Sequence, residues 1–374
     1  MKDKVATFGE PHGNPSNSSL PSENLNSLLE TMRQKYGLPA LAGATVTSNG
    51  LSGVGAVGVR KCGSDTPVNV DDQFHLGSNT KAMTATMLAT LVEEGKLSWN
   101  TTLEQVFPEL ARKMHPAYRK VTLEHILAHR AGFPEASWPR GKNFADMHGL
   151  PGRPREQRRA YVAMVLSEPP VCEPSSKLLY SNRSYAVAGA MGEKAADDSW
   201  ESLMQNRLFL PLGMQSCGFG AMGNAGKMDQ PWQHKLLWKW HRPIQPGPRA
   251  DNPPVVGPAG TAHCSVIDWG KFITAHLRGE KGLPGLLEPE TFKRLHTPSF
   301  GGEYSFGWLV TERPWAGGRA LTHAGSNTQN YAVAWMAPAR EFAVMIMTNQ
   351  AGGPTFKACD EAATALISHV IRNK

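Results

Sequence analysis

Cysteine is scarce in this chain, and its spacing fits no metal-binding or cross-linking pattern. The 374 residues include five cysteines, Cys62, Cys172, Cys217, Cys264 and Cys359, and no two of them form a Cys-x-x-Cys pair. Zinc sites and disulfide frameworks need close or regular cysteine spacing. Neither is expected here, and most of the cysteines are predicted to be reduced and structural.

The chain also lacks a long apolar run. No stretch approaches the roughly 20 residues that a membrane-spanning helix requires, and the N-terminus has no apolar signal core. With 40% hydrophobic and 19% charged residues, the composition is typical of a soluble globular protein. The compartment stays open, because a cytoplasmic protein and a periplasmic or secreted protein without its leader would share this sequence. The sequence does not indicate the oligomeric state either.

Basic residues outnumber acidic ones, yet they form no block. The formal net charge is +7, and the 39 Lys and Arg residues are spread along the chain. Interaction tails that bind nucleic acid carry runs of about five or six like charges. A solvated basic surface is therefore the better interpretation, and no nucleic-acid partner is expected.

The motifs for cofactors and metals are incomplete. Residues 53–58 fit Gly-x-Gly-x-x-Gly, but a turn-rich stretch follows where a dinucleotide-binding helix must begin, so this segment is interpreted as a glycine-rich strand. His125 and His129 lie four residues apart on a predicted helix, but the glutamate of a His-Glu-x-x-His metal motif is missing. Core histidines are the better interpretation, and neither a cofactor nor a metal is predicted.

What the chain does contain is a serine and a lysine three residues apart at the start of an apolar helix. Ser78 and Lys81 precede the Ala- and Met-rich run 82–91. A helix that is apolar all round is buried, and burial lowers the pKa of a lysine, so that a neutral amine could take the serine proton. The spacing alone is weak evidence, because it occurs about once or twice by chance in such a chain. Ser78 could equally be an ordinary N-cap.

Two later stretches add polar groups of the kind that such a nucleophile needs. Tyr180 and Asn182 stand at the predicted start of a small-residue helix. The phenol could relay protons, and the amide could orient either a substrate carbonyl or Lys81. The third stretch, His323-Ala324-Gly325-Ser326, lies on a predicted strand.

Periodicity predicts the fold class. Residues 24–36 and 356–371 have a helical period, and a period of two runs through 42–47, 53–59, 304–310, 320–325, 331–336 and 341–349. We therefore predict an α+β fold, in which an antiparallel sheet is flanked by N- and C-terminal helices and a large, mostly helical part is inserted. The sheet part would come from about 24–76 and 300–374 and the helical part from about 77–299. Residues 1–23 are expected to form a poorly ordered lead-in.

Two stretches keep open interpretations. Residues 138–159, rich in Pro, Gly and Arg, look like a long excursion that either shapes a substrate mouth or is a solvated insertion. Residues 231–240 gather Trp232, His234, Trp238 and Trp240, which could line an acyl pocket or form a satellite core.

Taken in order, Ser78-x-x-Lys81, Tyr180-x-Asn182 and His323-x-Gly325 resemble the motifs of the serine β-lactamase and penicillin-binding protein superfamily. The resemblance is greatest to class C β-lactamases, family VIII carboxylesterases and D-stereospecific peptidases, and it extends from about Asn24 to the C-terminus. It implies a β-lactamase-like fold and a single catalytic domain over 24–374. No Gly-x-Ser-x-Gly elbow is present to support an α/β-hydrolase instead.

The resemblance also implies roles for these residues. Ser78 would be the acylated nucleophile, Lys81 its base and Tyr180 an aid to proton transfer. Asn182 would contact substrate, and the strand from His323 through Gly325 to Ser326 would flank the scissile carbonyl. The backbone N–H groups of Ser78 and Ser326 would form the oxyanion hole.

One departure bears on the substrate. β-Lactamases usually have Lys-Thr-Gly where this chain has His323-Ala324-Gly325, which removes a fixed positive charge and a hydroxyl that hold the β-lactam carboxylate. We therefore expect a serine hydrolase, foremost a carboxylesterase for short-chain esters with weak or no β-lactamase activity. A D-stereospecific peptidase, an amidase or a β-lactamase remains an alternative, as does a non-catalytic module that binds penicillin or peptidoglycan.

Overall fold

The computed structural model of the protein describes residues 23–134, 144–238 and 240–373. Its α-helices are α1 Asn26–Tyr36, α2 Thr80–Glu93, α3 Leu103–Val106, α4 Leu123–Leu127, α5 Phe144–His148, α6 Pro154–Ser167, α7 Asn182–Ala196, α8 Trp200–Met204, α9 Gly257–Gly260, α10 Val266–Glu280, α11 Pro289–Leu295 and α12 Pro354–Arg372. Its strands are β1 Glu23–Asn24, β2 Ala40–Thr47, β3 Gly50–Gly58, β4 Phe74–His75, β5 Gly218–Phe219, β6 Gln233–Leu237, β7 Trp240–Ile244, β8 Ala262–Cys264, β9 Leu309–Arg313, β10 Gly318–Ser326, β11 Tyr331–Ala337, β12 Phe342–Thr348 and β13 Gln350–Ala351.

A seven-stranded sheet joins the two ends of the chain. Its strand order is β1-β3-β2-β12-β11-β10-β9, and every pair is antiparallel except β1 with β3. β2 and β3 form a hairpin, and Gly50, which directly follows its turn, has a φ of +120°, which glycine adopts without strain. The N-terminal hairpin pairs with the C-terminal strand β12. Residues 53–58 lie within β3, which confirms their interpretation as a glycine-rich strand.

Both faces of the sheet are covered, as the alternation along β12 shows. Val344 and Ile346 belong to a core with residues of α1 and α12. Met345 and Met347, on the other side of the same strand, belong to a larger core shared with the helical part. Successive side chains of a strand point to opposite faces, so β12 is buried between two layers of helix. The α+β class is confirmed.

The helical part contains two small sheets that periodicity did not predict. β6 and β7 form a hairpin that pairs with β13, and β4, β8 and β5 form a second three-stranded sheet. The hairpin carries the aromatic stretch, but Trp238 is 97% and Trp240 is 79% exposed. Trp232 lies under Lys61, whose Nζ is 4.3 Å from the ring centroid. Trp238 and Trp240 therefore line neither an acyl pocket nor a satellite core.

One predicted strand and one predicted loop are wrong. Tyr304, Phe306 and Trp308 alternate in sequence as strand residues do, yet residues 304–308 are all buried. Residues 305–308 form a tight turn, and the strand begins only at Leu309. Gly307, with a φ of +87°, packs directly on the backbone of α2 and bends the chain there. The stretch 138–159 is not one irregular excursion, because α5 and the start of α6 lie within it. Residues 135–143 and the lead-in up to residue 22 lie outside the described residues, whereas Glu23 already pairs with Gly53.

Three further observations concern predicted absences. In the ranges that the structure describes, no helix is both long and apolar enough to cross a membrane. No group of three or more His, Cys, Asp or Glu side chains in those ranges is arranged to hold a metal ion. The five cysteines form no disulfide; Cys264 and Cys359 are buried, and the other three are half-buried.

Candidate active site

Ser78 lies in a short 3₁₀ turn, Gly77–Asn79, that leads into α2. The side-chain amide of Asn79 donates to the carbonyls of Leu76 and Ala332, at 2.9 and 3.1 Å, and ties the turn to β11. Helix α2 is buried almost all round, as its apolar sequence predicts. Ser78 itself is half-buried. A hydroxyl that remains partly accessible is thus held at the N-terminus of a core helix.

Lys81 lies one turn further along α2, fully buried. Its Nζ is 3.0 Å from Ser78 Oγ, 2.8 Å from Asn182 Oδ1 and 2.7 Å from the carbonyl oxygen of Ala259. Burial lowers the pKa of this amine well below its ordinary value. A neutral amine has two N–H groups and one lone pair. Asn182 Oδ1 and the carbonyl oxygen of Ala259 are acceptors and take the two N–H groups as donors. The lone pair is therefore left to accept the hydroxyl proton of Ser78.

Tyr180 and Asn182 flank the start of α7, as predicted. Ser181 caps the helix, its Oγ accepting from the N–H of Arg183 at 3.3 Å. Burial raises the pKa of Tyr180 to about 12, and a hydrogen bond with Ser78 partly opposes that rise. The Tyr180 ring centroid is 4.8 Å from Lys81 Nζ. Tyr180 is therefore a neutral phenol beside the serine and the lysine.

Strand β10 passes directly against the turn that carries Ser78. A Cβ added to Gly325 would lie 2.1 Å from the carbonyl oxygen of Leu76 and 2.4 Å from the amide nitrogen of Ser78. A Cβ added to Gly77 would lie 2.2 Å from the amide nitrogen of Ser326. Two glycines thus let the backbones touch, and this contact brings the amides of Ser78 and Ser326 to the same place.

His323 lies on β10 at the edge of this group and is 7% exposed. Burial is the main cause of its pKa being lowered to about 3. Its Nδ1 has no hydrogen-bond partner among the described residues. Its ring centroid is 6.4 Å from that of Tyr180. The structure therefore places a neutral imidazole where a lysine would carry a fixed charge.

His129 is close to these residues, although the sequence suggested no functional position for it. The prediction that it shares a helix face with His125 is wrong, because α4 ends at Leu127 and His129 has a φ of +56°. Its Nδ1 accepts from the N–H of Ser181 at 3.2 Å, and its carbonyl accepts from the N–H of Leu179 at 2.9 Å. Its ring centroid is 4.4 Å from that of Tyr180. His129 is a core histidine, as predicted, and it brackets the backbone of Tyr180.

A cavity of about 440 Å³ lies elsewhere, between α6 and α7. Its charged lining residues pair with one another, as in Arg155 with Asp197 and Lys194 with Glu109. Ser78 is not among the lining residues. This cavity is a surface cleft crossed by ion pairs and is separate from the Ser78 group.

Known proteins are similar to this chain in sequence and in fold. A family model described as Beta-lactamase matches residues 25–368. An unguisins hydrolase of Aspergillus campestris is 28% identical over 326 residues, which are 83% of this chain and 58% of that protein. The chain thus spans little more than half the length of this relative.

Solved structures give the same picture of the fold. An octameric penicillin-binding protein homologue from Pyrococcus abyssi has a TM-score of 0.73 at 23% identity, covering 91% of this chain and 76% of the other. A D-stereospecific amidohydrolase from Streptomyces sp. has a TM-score of 0.69 at 21% identity, covering 90% and 96%. The fold is β-lactamase-like, and the family model spans nearly the whole chain. The chain belongs to the beta-lactamase family.

Proposed function

We propose that this protein is a serine hydrolase that forms an acyl-enzyme on Ser78. The observation that carries the proposal is the environment of Lys81: a fully buried amine, 3.0 Å from Ser78 Oγ, with acceptors for two protons and a lone pair left over. A general base within hydrogen-bond reach of a hydroxyl, and oriented by further groups, is the arrangement that activates a serine nucleophile.

The reaction follows from the positions of these groups. Lys81 Nζ takes the hydroxyl proton as Ser78 Oγ attacks the substrate carbonyl. The N–H groups of Ser78 and Ser326 donate to the oxygen that becomes negative. The proton then passes to the leaving group, with the neutral phenol of Tyr180 as donor and relay, and the C–O or C–N bond breaks. Water, activated by the same base, hydrolyses the acyl-serine.

The substrate we favour is a short-chain carboxylic ester. The imidazole of His323 is neutral, with its pKa lowered to about 3, so it offers no fixed charge for the carboxylate of a β-lactam. Asn182 has its Oδ1 engaged by Lys81 at 2.8 Å, so this oxygen already has a partner within the site. An ester of an uncharged acyl group needs neither anchor.

A D-stereospecific peptidase or amidase is the alternative within the same chemistry. It is supported by the relative named as a hydrolase of unguisins and by the fold shared with a D-stereospecific amidohydrolase. A non-catalytic binding module is the alternative from another class. The close approach of Lys81 to Ser78 speaks against it, since binding alone does not require a buried neutral amine.

The test is hydrolysis of p-nitrophenyl butyrate by the wild type, Ser78→Ala and Ser27→Ala. Ser27 is an exposed serine on α1 and serves as the matched control. We expect turnover by the wild type and Ser27→Ala, a fall to background in Ser78→Ala, and a butyryl group on Ser78 by mass spectrometry of the quenched enzyme. Equal rates in all three would exclude Ser78 as the nucleophile.

A parallel comparison decides among the substrates. If the wild type ignores the ester but releases D-alanine from a D-Ala-D-Ala peptide, the peptidase alternative replaces the esterase. Rapid opening of a chromogenic cephalosporin would favour a β-lactamase. Ligand-induced thermal stabilisation without turnover of any of the three would favour the binding module.

A further inference from the structure

A chain of buried polar side chains runs beneath the Ser78 turn and is not used by the reaction. His75 Nε2 lies 2.8 Å from one carboxylate oxygen of Asp251, and the other oxygen accepts from the side-chain amide of Asn327 at 2.9 Å. His75, Asp251 and Asn327 are at most 5% exposed. Buried polar groups are costly unless every one of them is paired. These three come from separate parts of the sequence and meet only in the fold.

At one end of the chain, His75 holds the turn that carries Ser78. The N–H of Gly77 donates to His75 Nδ1 at 3.0 Å. Because Nδ1 accepts this bond, the proton of the neutral ring is on Nε2, which donates to Asp251. The carboxylate of Asp251 therefore fixes both the tautomer and the orientation of the imidazole. Through that ring, it fixes the peptide between Leu76 and Gly77.

At the other end, Asn327 holds the loop that follows Ser326. Its Oδ1 accepts from the N–H groups of Gln329 and Asn330, at 3.2 and 2.9 Å. Its side-chain amide donates both to Asp251 and to Gln233 Oε1, the latter at 2.6 Å. Every polar atom of the Asn327 side chain is thus engaged, and the backbone just after Ser326 is fixed relative to Asp251.

We propose that His75 and Asp251 are positioning residues that set the spacing between the two halves of the oxyanion hole. The inference rests on the proposed function, in which the N–H groups of Ser78 and Ser326 bind the developing oxyanion. The carboxylate of Asp251 holds the backbone beside both N–H groups, through His75 on one side and Asn327 on the other. Gly77 and Gly325 let the two backbones touch, and the His75–Asp251–Asn327 chain sets how they meet.

The expected size of the effect follows from the precision that an oxyanion hole needs. Removing one donor costs about 10²- to 10³-fold in kcat, and a misplacement of about 1 Å can cost about 100-fold. Loss of the positioning bonds should therefore lower kcat more than it raises KM. Such bonds matter most in the transition state, when the oxygen carries charge.

The experiment divides the two bonds of His75 between two variants. In His75→Asn, the amide oxygen can take the place of Nδ1 and accept from the N–H of Gly77. In His75→Gln, the longer side chain can donate to Asp251 but leaves Gly77 without its acceptor. His263 is the control: it lies opposite His75 in the β4–β8 pair, is buried, and bonds the carbonyl of Gly220 instead.

For each folded variant we would measure kcat and KM for p-nitrophenyl butyrate and the affinity of an aryl boronic acid, whose boron bonds Ser78 Oγ and mimics the tetrahedral state. We expect His75→Gln to lower kcat by about 10- to 100-fold, with KM within about threefold, and to weaken the boronic acid by a similar factor. His75→Asn should recover about tenfold of that loss. His263→Gln should leave kcat unchanged even where it lowers the melting temperature.

Asp251→Asn provides a second route should a His75 variant fail to fold, and it should show the same kcat loss. Unchanged kcat per folded enzyme in His75→Gln or Asp251→Asn, or no recovery in His75→Asn, would overturn the positioning role while leaving the proposed function intact. A wild type that neither turns over the ester nor binds the boronic acid through Ser78 would overturn both.

Discussion

At the scale of single residues, the proposed mechanism depends on Lys81 acting as an amine without its proton. Lys81 is buried in α2, its hydrogen-bond partners among the described residues are not carboxylates, and desolvation lowers its pKa. His323 is also held neutral, with a pKa of about 3. Both shifts favour the neutral form, in which each nitrogen carries a lone pair.

This predicts the direction of the pH dependence. Activity requires neutral Lys81, so kcat/KM should fall as the pH is lowered through the pKa of Lys81 and should be at its plateau well below pH 10.5, the ordinary value for lysine. His323 gains its proton only near pH 3, so the limb should keep its position in His323→Gln even if the rate is lower. The pH–rate profiles of the two proteins test this. A limb centred near 10.5, or one that moves with His323, would contradict it.

Sequence analysis identified those residues of the candidate site whose partners are close in the chain or whose pattern is shared with a family. Ser78 and Lys81 are three residues apart, and Tyr180 and Asn182 are two apart. His75 and Asp251 were missed because 176 residues separate them and neither has a local signature. A lone buried histidine has no pattern in sequence that distinguishes a positioning role from simple packing.

At the scale of elements, the site is a contact between one turn and one strand. The Ser78 turn and β10 meet backbone to backbone at Gly77 and Gly325, a distance that no residue with a Cβ allows without movement. Side-chain repacking cannot relieve such a clash, because the three atoms nearest to a Cβ added at Gly325 all belong to the main chain.

Gly325→Ala should therefore separate the strand from the turn. We expect kcat/KM for p-nitrophenyl butyrate to fall at least about 100-fold, together with a lower melting temperature. Gly247→Ala is the matched control, since its added Cβ meets nothing within 4 Å and its φ is not left-handed. It should leave both quantities unchanged. Activity close to that of the wild type in Gly325→Ala would show that the contact does not position the reacting groups.

Sequence analysis predicted most helices and strands that have a long, unbroken hydrophobic period. Its wrong predictions have local causes. The β6–β7 hairpin was missed because its turn begins with Trp238, at a φ of +57°, where Asn or Gly would have signalled a turn. Tyr304, Phe306 and Trp308 alternate with small residues in sequence, as in a strand, but residues 304–308 are all buried in a turn that Gly307 makes possible. An alternation of large apolar residues indicates which side chains can be buried, and the backbone that buries them can differ.

At the scale of the whole molecule, a buried ion pair joins the helices of the inserted part. Arg158 of α6 is fully buried and donates to Glu201 at 2.7 Å and to the carbonyl of Pro254 at 3.3 Å, with Glu193 of α7 at 3.4 Å. Burial raises the pKa of Glu193 to about 7, and the charge of Arg158 opposes that rise. One cation thus satisfies groups on three segments.

Arg158→Ala should destabilise the fold by about 3 kcal/mol, because it removes the cation that faces the buried carboxyl group of Glu193 and the partly buried one of Glu201. The free energy of unfolding, from urea titrations at constant pH, measures the loss. Arg153→Ala is the control, since Arg153 directly precedes the same helix but is exposed and pairs with exposed Glu156. Its unfolding midpoint should stay close to that of the wild type. Equal losses in both variants would mean that burial of the Arg158 pair adds nothing.

The overall arrangement could be predicted from the sequence, because the order of periodic segments already separates an outer sheet from a helical middle. The register between β12 and β2 could not be predicted, since it joins residues about 300 positions apart along the chain. That pairing brings α1 and α12 onto the same face of the sheet, where Lys35 and Glu361 meet at 2.6 Å.

The exposed tryptophans of the β6–β7 hairpin provide an intrinsic fluorescence signal. Trp200, Trp269 and Trp308 are buried in the core, whereas Trp238 and Trp240 stand almost wholly in water. Indole emission shifts to longer wavelength in water, and acrylamide quenches exposed rings first. Among the described tryptophans, Trp238 and Trp240 should therefore be quenched first, so early quenching by acrylamide reports on the hairpin tip.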